Sequence, residues 1–141
     1  MNGFIKISVL NIDDDDIQFQ FQIENYCCKT SLDFYGNADD FKEFGQKLID
    51  FPSSIDDTAM FQLGEDDRKW AYYMLLKAFC YDASGHTALR IVVDNLGDHV
   101  NGHRSEFSIL SEAASINSFG QKLLQWNPLQ TKELVWESHT S

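Results

Sequence analysis

His99 and His103 stand four residues apart, with Asp94, Asp98 and Glu106 nearby in the chain. Imidazole and carboxylate are ligands that zinc takes. Two histidines at that spacing face one way only on a helix, and Asn95-Leu-Gly-Asp-His-Val-Asn-Gly-His103 has the composition of a loop. No metal site is predicted there, and no cofactor is expected. The remaining histidines are His86 and His139. Cys27 or Cys28 beside His99 or His103 would supply the parts of a nucleophile. A nucleophile needs a base and an orienting group next to it, and nothing in the spacing brings these residues together. The chain has no glycine-rich phosphate loop, no Gly-x-Ser-x-Gly turn and no His-Glu-x-x-His helix. The expectation is a protein that is not an enzyme.

The chain does have carboxylates in short runs. Asp13, Asp14, Asp15 and Asp16 are consecutive, Asp39 and Asp40 form a pair, Glu65, Asp66 and Asp67 a triplet, and Asp98 stands alone. The 141 residues include 22 acidic and 11 basic side chains, a net charge of −11. Neighbouring like charges raise a negative potential that recruits a cationic partner quickly. These ten carboxylates are the candidate protein-binding residues, and a basic protein is the expected partner. The same charge excludes direct binding to nucleic acid phosphates and loose attraction to an anionic membrane. The 13–16 run lacks the alternating acids, central glycine and closing glutamate of an EF-hand calcium loop. The plainer alternative is that aspartate simply populates turns and keeps the protein soluble.

Elements must position these runs. The chain is 43% hydrophobic and 13% aromatic, enough to bury a core, so residues 1–141 read as one ordered domain. Residues 4–12 read as a strand, ended by the aspartate run. In 17–25, Ile17, Phe19, Phe21 and Ile23 alternate with Gln18, Gln20, Gln22 and Glu24, the mark of a strand with one buried face. Residues 29–35, 59–63, 70–81, 87–95 and 104–110 read as further strands, and 132–137 as an edge strand. A helix capped by Asn37 carries Phe41, Phe44, Leu48 and Ile49 on one face and stops before Pro52; a second covers 113–126 and stops before Pro128. Trp70, Tyr72, Tyr73 and Trp126 read as core, with an aromatic pocket for a small ligand as the alternative function. Residues 138–141 read as a loose tail.

Phe44-Gly-Gln-Lys-Leu48 recurs as Phe119-Gly-Gln-Lys-Leu123, 75 positions on. Each copy follows three strand-like segments. The chain therefore reads as a duplicated β-β-β-α unit, about 4–52 and 70–128. Gly45 and Gly120 lie mid-helix, where glycine costs about 1 kcal/mol relative to alanine, so the helix backbone is expected to approach the sheet or the other helix there. The predicted fold is α+β, a mainly antiparallel sheet of about seven strands with both helices on one face. On such a sheet, reversing connections carry all ten carboxylates to one end.

The start, Met1-Asn-Gly-Phe-Ile-Lys, does not read as a signal peptide, and no apolar run approaches the length of a membrane span. Three cysteines, two of them adjacent, make a poor disulfide framework and read as reduced, buried residues of a cytoplasmic protein. The glutamine face of the 17–25 strand offers a homodimer surface as an alternative to solvent.

Gly85-His86, the strand Leu89-Arg-Ile-Val-Val93, the strand with Phe107 and Ile109, and the helix Ile116-x-x-Phe119-x-x-x-Leu123 together resemble small acidic immunity proteins of bacterial polymorphic toxin systems, particularly the WapI-like group. The resemblance covers mainly residues 85–126. It implies a cytoplasmic protein that binds a cognate toxin and blocks it, and it assigns no contact residue.

Overall fold

A computed structural model describes residues 3–67 and 69–140. The elements run β1 (Gly3–Asp13), β2 (Asp16–Asn25), β3 (Lys29–Gly36), α1 (Lys42–Ile49), β4 (Thr58–Leu63), β5 (Tyr73–Cys80), β6 (Thr87–Asp94), β7 (Arg104–Leu110), α2 (Ala113–Gln125) and β8 (Glu133–Glu137). The fold is α+β with eight strands. They form two antiparallel sheets, ordered β3-β2-β1-β8 (sheet A) and β4-β5-β6-β7 (sheet B). This corrects the single sheet of about seven strands. The order β-β-β-α-β occurs twice, and the fourth strand of each half joins the other half's sheet, beside its first strand. Alternation along β4 or β8 marks a half-buried strand but carries no information on which edge it will fill.

Alternating residues of both sheets and one face of each helix share one apolar core. On sheet A, Ile5 and Ile7 of β1, Phe19 and Phe21 of β2 and Phe34 of β3 are all but inaccessible. Phe41 sets its ring edge-on to Phe19, Phe21 and Phe34, and stacks on Trp126 at 5.9 Å. Such offset and edge contacts add to the area buried. Tyr73 and Trp126 are buried, as expected, but Trp70 is 52% exposed. It belongs to the 64–72 loop, where its N–H donates to the Asp67 carbonyl at 3.0 Å, and β5 starts three residues later.

The helices cross at their glycines. A Cβ on Gly45 would lie 2.9 Å from the Gly120 carbonyl oxygen, and one on Gly120 would lie 2.7 Å from that of Gly45. The close neighbour is therefore the other helix. The helices also cap each other. Lys42 Nζ donates to the Leu124 and Trp126 carbonyls at the end of α2, at 2.7 and 3.0 Å. Asn117 Nδ2 donates to the Leu48 and Phe51 carbonyls at the end of α1, at 2.8 and 2.7 Å. Lys42 and Asn117 are 75 positions apart, the spacing of the repeated motif. Each satisfies carbonyls that a helix end leaves without a partner.

The far end of sheet A abuts β7. Asn25 Nδ2 donates to the Ser108 carbonyl at 2.9 Å, and Thr30 Oγ1 lies 3.1 Å from His103 Nε2. The C-terminal residues are tied down rather than loose. Ser138 is fully buried, its N–H and hydroxyl both donate to the Gly3 carbonyl, and the Glu112 N–H donates to the His139 carbonyl at 2.7 Å. Ser141 lies outside the described residues. The cysteines are free thiols, but Cys27 is exposed on the β2–β3 turn and Cys28 and Cys80 are half-buried, so none is the fully buried residue expected.

Candidate docking site

The split into two sheets divides the carboxylates. Asp13–Asp16 form the β1–β2 turn, and Asp39 and Asp40 follow β3 at the same end of sheet A, where Ile17 pairs with Gly36. Glu65, Asp66, Asp67 and Asp98 lie in the loops at one end of sheet B, after β4 and between β6 and β7.

At the sheet A end, local chemistry sets the turn. Asp14 holds φ at 54°, a left-handed conformation that aspartate tolerates better than most residues. Asn37 Oδ1 accepts the Asp39 N–H at 3.0 Å, and Asp40 Oδ2 accepts the Asn37 N–H at 2.9 Å. This reciprocal pair leads the chain into α1 and commits the half-buried Asp40 carboxylate to structure. α1 itself begins at Lys42, one turn after the expected Asn37 cap, because 38–41 form turns first. Asp14, Asp15 and Asp39 then line one depression of about 380 Å³ with Ile17, Ala38 and Leu129. Leu129 is 58% exposed and is placed by the Asn127 side chain, which accepts its N–H at 3.0 Å. Asp13, Asp14, Asp15, Asp16 and Asp39 have no ion-pair partner among the described residues. Three carboxylates around an apolar patch suit a lysine or arginine side chain, whose stem is apolar and whose head is charged.

At the sheet B end Arg104 compensates part of the acidic charge. Arg104 Nη1 and Nη2 donate to both Asp66 oxygens, at 2.9 and 3.1 Å, and the same guanidinium reaches Asp94 at 3.0 Å and Glu106 at 2.9 Å. The Arg104 hydrogen bond holds the Asp66 carboxyl below its usual range, and the three acids raise the affinity of Arg104 for its proton. Asp98 accepts the N–H groups of Val100 and Asn101, and these bonds lower its carboxyl likewise. Glu65 accepts from Gln62 at 3.4 Å. Asp67 is exposed and accepts the Lys69 N–H. Of the ten residues, then, Asp14, Asp15 and Asp39 share one concavity, Asp13 and Asp16 flank it on the same turn, and the others serve elsewhere.

His99 is exposed, and His103 Nε2 lies between the hydroxyls of Thr30 and Ser105. Sequence reasoning missed Leu129, the apolar member of the depression. The Asn127-Pro128 turn marks a loop there, but only the β1–β8 pairing brings that loop beside the aspartate turn. No family model matches the chain, and neither a curated protein nor a solved structure matches it.

Proposed function

We propose that this chain is a non-enzymatic binding protein that docks a cationic protein partner on its acidic β1–β2 turn, in the manner of an immunity protein that neutralises a toxin in the cytoplasm. The observation that carries this reading is the depression lined by Asp14, Asp15, Asp39 and exposed Leu129, whose carboxylates have no ion-pair partner among the described residues. Unpaired carboxylates held close together favour fast encounter with a basic surface, and the apolar residue adds contact once it arrives. Of the aromatic side chains considered for a small-ligand pocket, Trp126 is instead packed in the core against Phe19 and Phe41. The matching order of elements in the two halves supports their origin as copies of one unit, in which the β1–β2 turn carries four consecutive aspartates and the β5–β6 turn one.

Affinity capture from lysate of the source cells, with wild type beside an Asp14→Asn/Asp15→Asn/Asp39→Asn variant, tests the reading. A basic protein retained by wild type, released by moderate salt and absent from the variant is expected. Retention of the same protein by both baits would refute the site.

A further inference from the structure

The register makes the two sheets an internal comparison. Phe19 pairs with Phe34 and Phe21 with Leu32 on sheet A, as Leu89 pairs with Ile109 and Ile91 with Phe107 on sheet B. Phe21 also pairs with Ile7, as Ile91 pairs with Leu76. The outward residues between them therefore occupy matching places. On β2 these are Gln18, Gln20 and Gln22; on β6 they are Ala88, Arg90 and Val92. Lys6 and Ser8 of β1 correspond to Leu75 and Lys77 of β5. The sheet A face centres on neutral Gln20, which donates to Asp33 at 2.9 Å, and pairs Lys6 with Glu133 at 3.4 Å, with exposed Tyr35 and Val135 beside them. The sheet B face carries Leu75, Phe79, Leu110 and Met60, of which Leu110 and Met60 are nearly half exposed, around a buried Val92, with Ser108 and Glu106 of β7 on the same face.

Two cations occupy its centre. Lys77 and Arg90 are direct cross-strand partners, and neither has an ion pair or side-chain hydrogen bond among the described residues. Like charges directly opposite on a sheet are destabilising. They persist here in a chain whose acids outnumber its bases two to one. A second copy is a poor occupant, since a twofold axis through the centre would set these cations against themselves.

We infer that the outer face of sheet B, centred on Lys77 and Arg90, docks an acidic protein segment that carries apolar side chains between its carboxylates. This surface is separate from the acidic depression and has the opposite charge preference.

The test uses fluorescence anisotropy with a short labelled peptide alternating Glu with Leu, beside the same peptide with Lys in place of Glu. Wild type is expected to bind the Glu peptide saturably, and the Asp14→Asn/Asp15→Asn/Asp39→Asn variant, whose acidic depression is discharged, is expected to bind the Lys peptide at least ten-fold more weakly than the Glu peptide. Lys77→Glu creates a cross-strand ion pair with Arg90, so it is expected to melt at or above wild type while binding the Glu peptide at least ten-fold more weakly. Gln20→Glu, at the place on sheet A that matches Arg90, is expected to leave binding unchanged. Absence of saturable binding of the Glu peptide by wild type, equal binding of it by Lys77→Glu, or equal binding of the two peptides by the Asp14→Asn/Asp15→Asn/Asp39→Asn variant would overturn the inference. So would sedimentation equilibrium showing a wild-type dimer that Lys77→Glu dissociates, because the occupant would then be a second copy.

Discussion

Gly45 and Gly120 stand opposite each other where α1 crosses α2, each directly beneath the other's carbonyl oxygen. The contact lets two helix backbones approach as closely as side chains ordinarily would, and it places Lys42 and Asn117 within reach of the opposite helix ends. The helices are thereby joined at their crossing and at both ends.

Alanine at either glycine should destabilise. The helix propensity gained is about 1 kcal/mol, whereas overpacking a tight contact costs about 1–3 kcal/mol. A Cβ on Gly120 meets the backbone of Gly45 and Ile49 at 2.7 and 3.0 Å, groups that cannot swing aside. Gly120→Ala is therefore the more harmful, by a net amount on the order of 1–2 kcal/mol. Urea titration reads this directly, and a variant as stable as wild type would show that the helices separate at little cost.

The reciprocal caps make a second prediction. Lys42→Met removes the donor to the Leu124 and Trp126 carbonyls, and Asn117→Ala removes the donor to the Phe51 carbonyl while Leu48 keeps the Phe51 N–H, each at a cost of about 1–3 kcal/mol. The two side chains act on opposite ends of the same helix pair, so the double variant should lose the sum of the single losses to within about 0.5 kcal/mol. Thermal melts of the three variants decide it; no loss in either single variant would mean that water replaces the cap.

How much of this was legible beforehand depends on range. The alternation of Ile17 to Ile23 revealed β2, and the repeated Phe-Gly-Gln-Lys-Leu revealed both the repeat and the buried glycines, because strand period and helix period are local properties. The exchange of β4 and β8 between sheets was not legible, since pairing is decided by contacts far apart in sequence. The same gap hid the site's final form. Asp14 and Asp39 were recognisable as turn acids, but whether they would share a concavity, and whether Asp66 would be neutralised by Arg104, depended on which sheet carried each turn. The short polar tail gives no sign in its composition that Ser138 closes on Gly3.

Acid should weaken the molecule at three hydrogen-bonded carboxylates. Hydrogen bonds from Arg104 lower the Asp66 carboxyl, the His86 side chain lowers Asp82, and backbone N–H groups lower Asp98, all from an ordinary 3.8. A carboxyl depressed in the folded state stabilises above its unfolded value, and that contribution is lost as pH falls through the folded one. Arg104→Gln should therefore be less stable than wild type at neutral pH, and the gap should narrow on acidification as Asp66 protonates in both. Urea midpoints followed from neutral pH to below 3.8 measure the gap; one that stays constant would mean the Asp66–Arg104 pair contributes nothing to folding.

The association rate of a captured basic partner, measured against ionic strength for wild type and for the Asp14→Asn/Asp15→Asn/Asp39→Asn variant, tests the docking site most directly. Wild type should associate at least ten-fold faster at low salt, with a steep decline as salt rises, and the variant should show a flatter dependence. Equal rates and equal salt slopes in the two proteins would contradict the account.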